Sequence, residues 1–122
     1  MYSKELLDHF HRPRNVGEIE RPTAVAEASN PVCGDLLQIS ALVREQILVQ
    51  VRFKAAGCVP ALACGSWLAE YLQDKRLEDL SPVAPERIEQ ALGGVPEASH
   101  HAAVLASGAM QRLLESLIQA AL

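Results

Sequence analysis

The sequence lacks a positive excess, a long apolar run and a paired set of cysteines. Its 122 residues carry a formal net charge of -4, so no basic stripe points to nucleic acid or to an acidic membrane surface. No apolar stretch approaches the length of a membrane span. The opening residues, MYSKELLDHFHRPRN, are mixed and charged, with no apolar signal-peptide segment. These absences read as a soluble cytoplasmic protein. There are three cysteines, an odd number, which argues against a disulfide framework. They are not arranged as C-x-x-C knuckles. In a reducing compartment such cysteines are buried hydrophobes, metal ligands or reactive thiols.

What is present is enough apolar material, 49% of the residues, for one core, and the length fits one domain spanning 1–122. SKELLDHF (3–10) reads as a short helix capped by Ser3, with Leu6, Leu7 and Phe10 as its stripe. Residues 23–28 read as an edge strand. LLQISALV (36–43) alternates, with Leu37, Ile39, Ala41 and Val43 on one face. QILVQVRFK (46–54) alternates too, and places Ile47, Val49, Val51 and Phe53 together. The short Arg44-Glu45 connection predicts an antiparallel hairpin, although no glycine serves the turn. Pro60 predicts the first turn of a helix running to about Asp74. A short helix falls near 84–91, bounded by Pro82, Pro85 and Gly93-Gly94. A last helix begins at about 100, with Leu105, Ala109, Met110, Leu113, Leu117 and Ile118 on its buried face. There are no internal repeats. The order gives an α+β domain: a small antiparallel sheet of about three strands with helices packed on one face.

The chemistry gathers at element ends. Cys33 lies in the turn NPVCGDL, two residues before Asp35. Cys58 lies in FKAAGCVP, between a strand end and a helix start. His100 and His101 open the last helix. Thiolates and imidazoles bind zinc, and thiolates hold iron–sulfur clusters. A helix N-terminus favours the thiolate, so Cys58 is expected to ionise readily. Gly57 and Gly34 are expected to let the backbone approach a bound group. Asp35 can serve as a hard oxygen ligand or as an acceptor for one. Cys64 sits on the apolar stripe of its helix and belongs to the core. A cysteine nucleophile with a histidine base is conceivable chemistry, but no third orienting group is visible, so an enzyme is not the expectation.

Taken in order, these segments resemble the IscU/NifU-type iron–sulfur cluster scaffold family. The resemblance runs from the opening helix and Pro-Arg-Asn-Val-Gly (13–17), through Cys-Gly-Asp (33–35) and VRFKAAGC (51–58), to Trp67, KRLEDL (75–80) and the His-led helix with VLA (104–106). It implies an IscU-like fold. It also implies an assembly site where sulfur from a cysteine desulfurase and iron form a labile [2Fe–2S] cluster, later passed to recipient apoproteins. By the resemblance, Cys33 matches the first ligand cysteine, Asp35 the aspartate and Cys58 the second cysteine. The third family cysteine follows a histidine, and here that place reads Ser99-His100-His101-Ala102. Counting from Cys58 puts His101 on the missing cysteine, with His100 beside it. Counting back from VLA puts Ala102 there. The first count gives the set Cys33, Asp35, Cys58 and His101, with His100 as an additional metal ligand. The same donors suit zinc, which would fit a sulfur-acceptor branch of the family. The missing cysteine also fits a degenerate member that binds a desulfurase without cargo, or a cluster shared in a homodimer. A segment that a dedicated Hsp70-type chaperone reads in many members is replaced here by GVPEAS (94–99), which argues against that partner.

Overall fold

The computed structural model describes residues 1–32 and 34–121. Helix α1 (Lys4–His11) is followed by strands β1 (Ala24–Asn30), β2 (Asp35–Arg44) and β3 (Ile47–Ala56). Helices α2 (Val59–Leu72), α3 (Pro85–Ala91) and α4 (His100–Ala121) complete the order. The three strands form one antiparallel sheet, β1-β2-β3, and α2 and α4 pack on one face of it. The α+β expectation holds. Among the described residues no helix is long and apolar enough to cross a membrane.

Helix α1 begins where Ser3 accepts the Leu6 N–H at 3.0 Å, and the same hydroxyl donates to the Leu92 carbonyl. The β2–β3 hairpin turns through Glu45 and Gln46, with φ of 52° and 67°, while Arg44 pairs with Ile47. Two positive φ values are what a primed two-residue turn demands. The strand twist thus imposes the left-handed region on two residues that gain nothing from it. The register then slips: Leu42 faces Gln50, but Val43 faces Leu48. Val49 is the extra residue of a β-bulge. Leu48 and Val51 therefore both point inward, and Val49 is 38% exposed. Strict alternation had placed Val49 on the core face, and the bulge overturns that. In α4 the predicted face is buried from Leu105 to Leu117, but Ile118 is 62% exposed, beyond the reach of the sheet.

The outer edge of β3 is covered. Phe53 N–H donates to the Asn15 carbonyl at 2.9 Å, and Gly17 N–H to the Phe53 carbonyl at 2.8 Å. Further along, Leu48 exchanges backbone hydrogen bonds with Asp74 and Lys75, and the Gln73 side-chain amide bonds the backbone of Val51 and Val49. Such cover protects an edge from pairing with another chain. Among the described residues, the outer edge of β1 has only Arg112 of α4, whose Nη1 donates to the Glu27 carbonyl at 2.7 Å.

Helix α2 is buried nearly all round, through Ala61, Ala63, Cys64, Gly65, Leu68, Ala69 and Leu72. Small residues let it lie close on the sheet. A Cβ on Gly65 would stand 2.7 Å from Phe53 Cδ2 and 2.8 Å from Leu37 Cδ1. Gly65→Ala is therefore expected to lose about 1 kcal/mol or more, although alanine favours a helix. A urea midpoint at or above the parent's would contradict this packing.

One residue further along α2, buried His9 of α1 meets Ser66 Oγ at 2.8 Å through Nδ1. That oxygen also accepts the Arg14 N–H at 2.9 Å, and the other ring nitrogen, Nε2, stands 4.0 Å from Glu70 Oε1. Burial, helped by the Arg14 charge, pushes the His9 pKa below its ordinary value, against Glu70 and Asp8. A depressed histidine contributes stability above its unfolded pKa of about 6.5, lost as pH falls through the folded value. Exposed His100 acts with the opposite sign, because Glu89 raises its pKa. In a His100→Gln background, urea unfolding between pH 7 and 5 should show a fall in stability that His9→Asn removes. An unchanged slope would mean His9 is not held neutral.

Candidate metal centre

Asp35 is the first residue of β2, paired with Asn30, the last of β1, across the turn between the two strands. Gly34 holds that turn with φ 75°, and its N–H donates to the Asn30 carbonyl at 2.8 Å. Strand alternation then sets Asp35 on the same face as Leu37 and Ile39, the core face. The carboxylate is 2% exposed and needs buried donors. Cys58 supplies two: its backbone N–H lies 3.1 Å from Oδ1 and its thiol 3.3 Å from Oδ2. His101 Nε2 stands 3.2 Å from Oδ2.

Cys58 is the N-cap of α2, with extended backbone and no side-chain capping bond. The sequence places this thiol at a helix start that favours the thiolate. The structure reverses the net direction: burial pushes the Cys58 pKa up. The Ala61 amide pulls it down, but the Asp35 hydrogen bond and charge raise it further. The thiol keeps its proton and donates it to Asp35. Gly57 serves a purpose other than the one expected from sequence. With φ 128° it leaves room for Asp35, since a Cβ there would fall 2.0 Å from Oδ1.

His101, the second residue of α4, is half-buried. Its Nδ1 lies 3.0 Å from the Ala98 carbonyl, which can only accept, so Nδ1 carries a proton. Nε2 is then the atom presented to Asp35 and to Cys58 Sγ, 3.7 Å away. Backbone carbonyls orient metal-binding imidazoles in this way. One donor atom each from Asp35, Cys58 and His101 lies within 4.8 Å of the others. Sulfur, oxygen and nitrogen together suit iron and zinc.

The other sequence candidates fall elsewhere. The Cys33 expectation lies outside the described residues. His100 does not join the cluster: it is exposed, and its Nδ1 meets Glu89 Oε1 of α3 at 2.5 Å. Ala102 is buried in the core and offers no ligand atom. Cys64 is 0% exposed, as expected, and burial pushes its thiol up to about 12. The Ala98 carbonyl was invisible from sequence, because nothing in the letters Glu-Ala-Ser marks a carbonyl that will face an imidazole.

Residues 1–118 match the family described as NifU-like N terminal domain. Iron-sulfur cluster assembly scaffold protein IscU 1 of Archaeoglobus fulgidus is 37% identical over 114 residues, covering 93% of this chain and 74% of that protein. The scaffold protein IscU of Haemophilus influenzae is 30% identical and covers 90% of each. Among solved structures, a NifU-like protein (N-terminal) from Brucella abortus superposes with a TM-score of 0.75 at 18% identity, over 96% of this chain and 94% of that one. A putative scaffold protein for the SUF system from Fervidobacterium islandicum gives 0.69 at 20% identity, over 93% and 96%. Both structures share the fold, a small antiparallel sheet with helices on one face.

Proposed function

Because the chain belongs to the NifU-like N terminal domain family, we propose that it is an iron–sulfur cluster assembly scaffold. It binds iron and sulfide through Cys33, Asp35, Cys58 and His101. The observation that carries this reading is the convergence of Asp35, Cys58 and His101 donor atoms within 4.8 Å. Cargo is the substrate here, a labile [2Fe–2S] cluster or its iron, and the protein is a carrier and not an enzyme. Binding replaces the thiol proton that Cys58 shares with Asp35, so loading releases protons. A carboxylate and an imidazole hold iron less firmly than thiolates would, which suits handing the cluster on. Neutral histidine in a thiolate's place also leaves the bound cluster less negative.

A cysteine desulfurase supplies sulfur and recipient apoproteins take the cluster, in the cytoplasm. Pro96 is all that GVPEAS clearly shares with the chaperone-read segment, which argues against a dedicated Hsp70-type chaperone as a partner. Zinc is the second reading. Two thiols, a carboxylate and an imidazole make a tetrahedral set for that ion.

Anaerobic reconstitution with iron and sulfide tests the proposal, with Cys64→Ala as a control. Equal iron and sulfide with a visible charge-transfer spectrum, kept in Cys64→Ala, is the expected result. Zinc retained while iron and sulfide fail to bind would move the protein to the second reading.

A further inference from the structure

Beside His101 a groove of about 500 Å³ runs between the end of β1 and helix α4, past Val104 and Gly108 to Arg112. Three independent features describe what would lie in it. The first is the sheet edge. Phe53 turns its N–H and carbonyl away from β2, toward Asn15 and Gly17. Its partner Ile39 therefore bonds toward β1, where it faces Ala26. Odd-numbered residues of β1 must then point their backbone groups outward. The Arg112 contact on the Glu27 carbonyl agrees with this. Ser29, two residues on, has no backbone partner on its outer side among the described residues.

The second feature is Gly108. Glycine inside a helix costs stability relative to alanine, and packing does not require it: a Cβ there would meet nothing within 4 Å. A glycine in that setting lets a visiting backbone come close. The third is charge. Arg112 is exposed, and no carboxylate lies within 4 Å of it among the described residues. Its free guanidinium N–H groups stand at the far end of the groove from the metal centre.

We infer that this groove docks an extended segment of a partner polypeptide, added to the β1 edge at Ser29 and passing over Gly108, with a carboxylate on Arg112. Strand addition supplies backbone hydrogen bonds, and the groove selects alternate side chains. Val104, 48% exposed, offers the apolar contact. The segment's other end lies next to His101, so under the scaffold reading the partner is held beside the cargo. The docking itself rests on the groove.

The test uses an acetylated, amidated hexapeptide of alternating valine and threonine that ends in aspartate, with an asparagine twin. Amide shifts in the full chain should centre on Ser29 and α4 residues 104–112. The aspartate peptide should bind about threefold tighter than its twin, a preference lost in Arg112→Gln. Gly108→Leu should abolish both. Gly108→Ala should raise the melting temperature while weakening binding. Shifts elsewhere, no shifts, or equal binding by Gly108→Leu would overturn the inference. Iron loading of the parent and of all three groove variants is measured alongside. Loading that fails in all of them sinks the scaffold reading but leaves the docking result standing.

Discussion

Gly57→Ala should empty the metal centre and cost about 3 kcal/mol or more. Two effects act together. The backbone at Gly57 has φ 128°, a conformation that alanine reaches only under strain. The new methyl would also fall 2.0 Å from Asp35 Oδ1 and 3.0 Å from the Asp35 Cα. The carboxylate cannot yield without losing the Cys58 N–H and thiol, and buried donors left unpaired carry their own cost. The backbone cannot yield either, because Asp35 is tied to Asn30 in the sheet. Urea unfolding and iron content read the two effects separately. A variant with parental stability and iron would show that Asp35 moves freely, against the geometry described.

Cys58→Ser should divide the two properties. Its iron and sulfide content is expected to drop more than tenfold, because a hydroxyl is a poor substitute for a thiolate toward iron. Its stability is expected to hold, or to rise by up to about 1 kcal/mol. Cys58 occupies the N-cap of α2 without making a capping bond, and serine is among the best residues at that position. The serine hydroxyl can also donate to Asp35 as the thiol does. A helix start that forgoes a good cap for a cysteine is a position held for chemistry at some expense of stability. Cys64→Ser provides the contrast. Its side chain is buried among hydrophobic residues, so an added hydroxyl should destabilise the fold while sparing the metal centre. A Cys58→Ser protein that unfolds early and keeps its iron would reverse the assignment of the two cysteines.

Much of this was legible in the sequence because period-2 and period-3.6 patterns report burial directly. The two long strands, α2 and α4 fall close to where their apolar residues place them. The bulge at Val49 escaped because the alternation of Val49, Val51 and Phe53 with Gln50, Arg52 and Lys54 dominates the segment. Its one mark in the strand's own letters is Leu48, an apolar residue on the polar side of that alternation, which pairing with β2 turns into the core. The Glu45-Gln46 turn escaped for a related reason, since the flanking strands impose positive φ on residues that carry no signal for it. At the candidate metal centre, residue types and element ends led to Asp35, Cys58 and the His100-His101 pair. The protonated state of Cys58 did not follow, because helix position predicts one direction and burial beside a carboxylate enforces the other. Nor could sequence separate His100 from His101. Adjacent helix residues point about 100° apart, so one meets Glu89 and the other meets Asp35.

The central claim is that His101 ligates the cargo through Nε2. Nitrogen hyperfine spectroscopy on the reduced, cluster-loaded protein tests it most directly, with ¹⁴N and ¹⁵N histidine labelling. Strong coupling to one histidine nitrogen should change with the label, persist in His100→Gln and disappear in His101→Gln. A loaded cluster with no directly bound nitrogen, or with a coupling unchanged in His101→Gln, would contradict it.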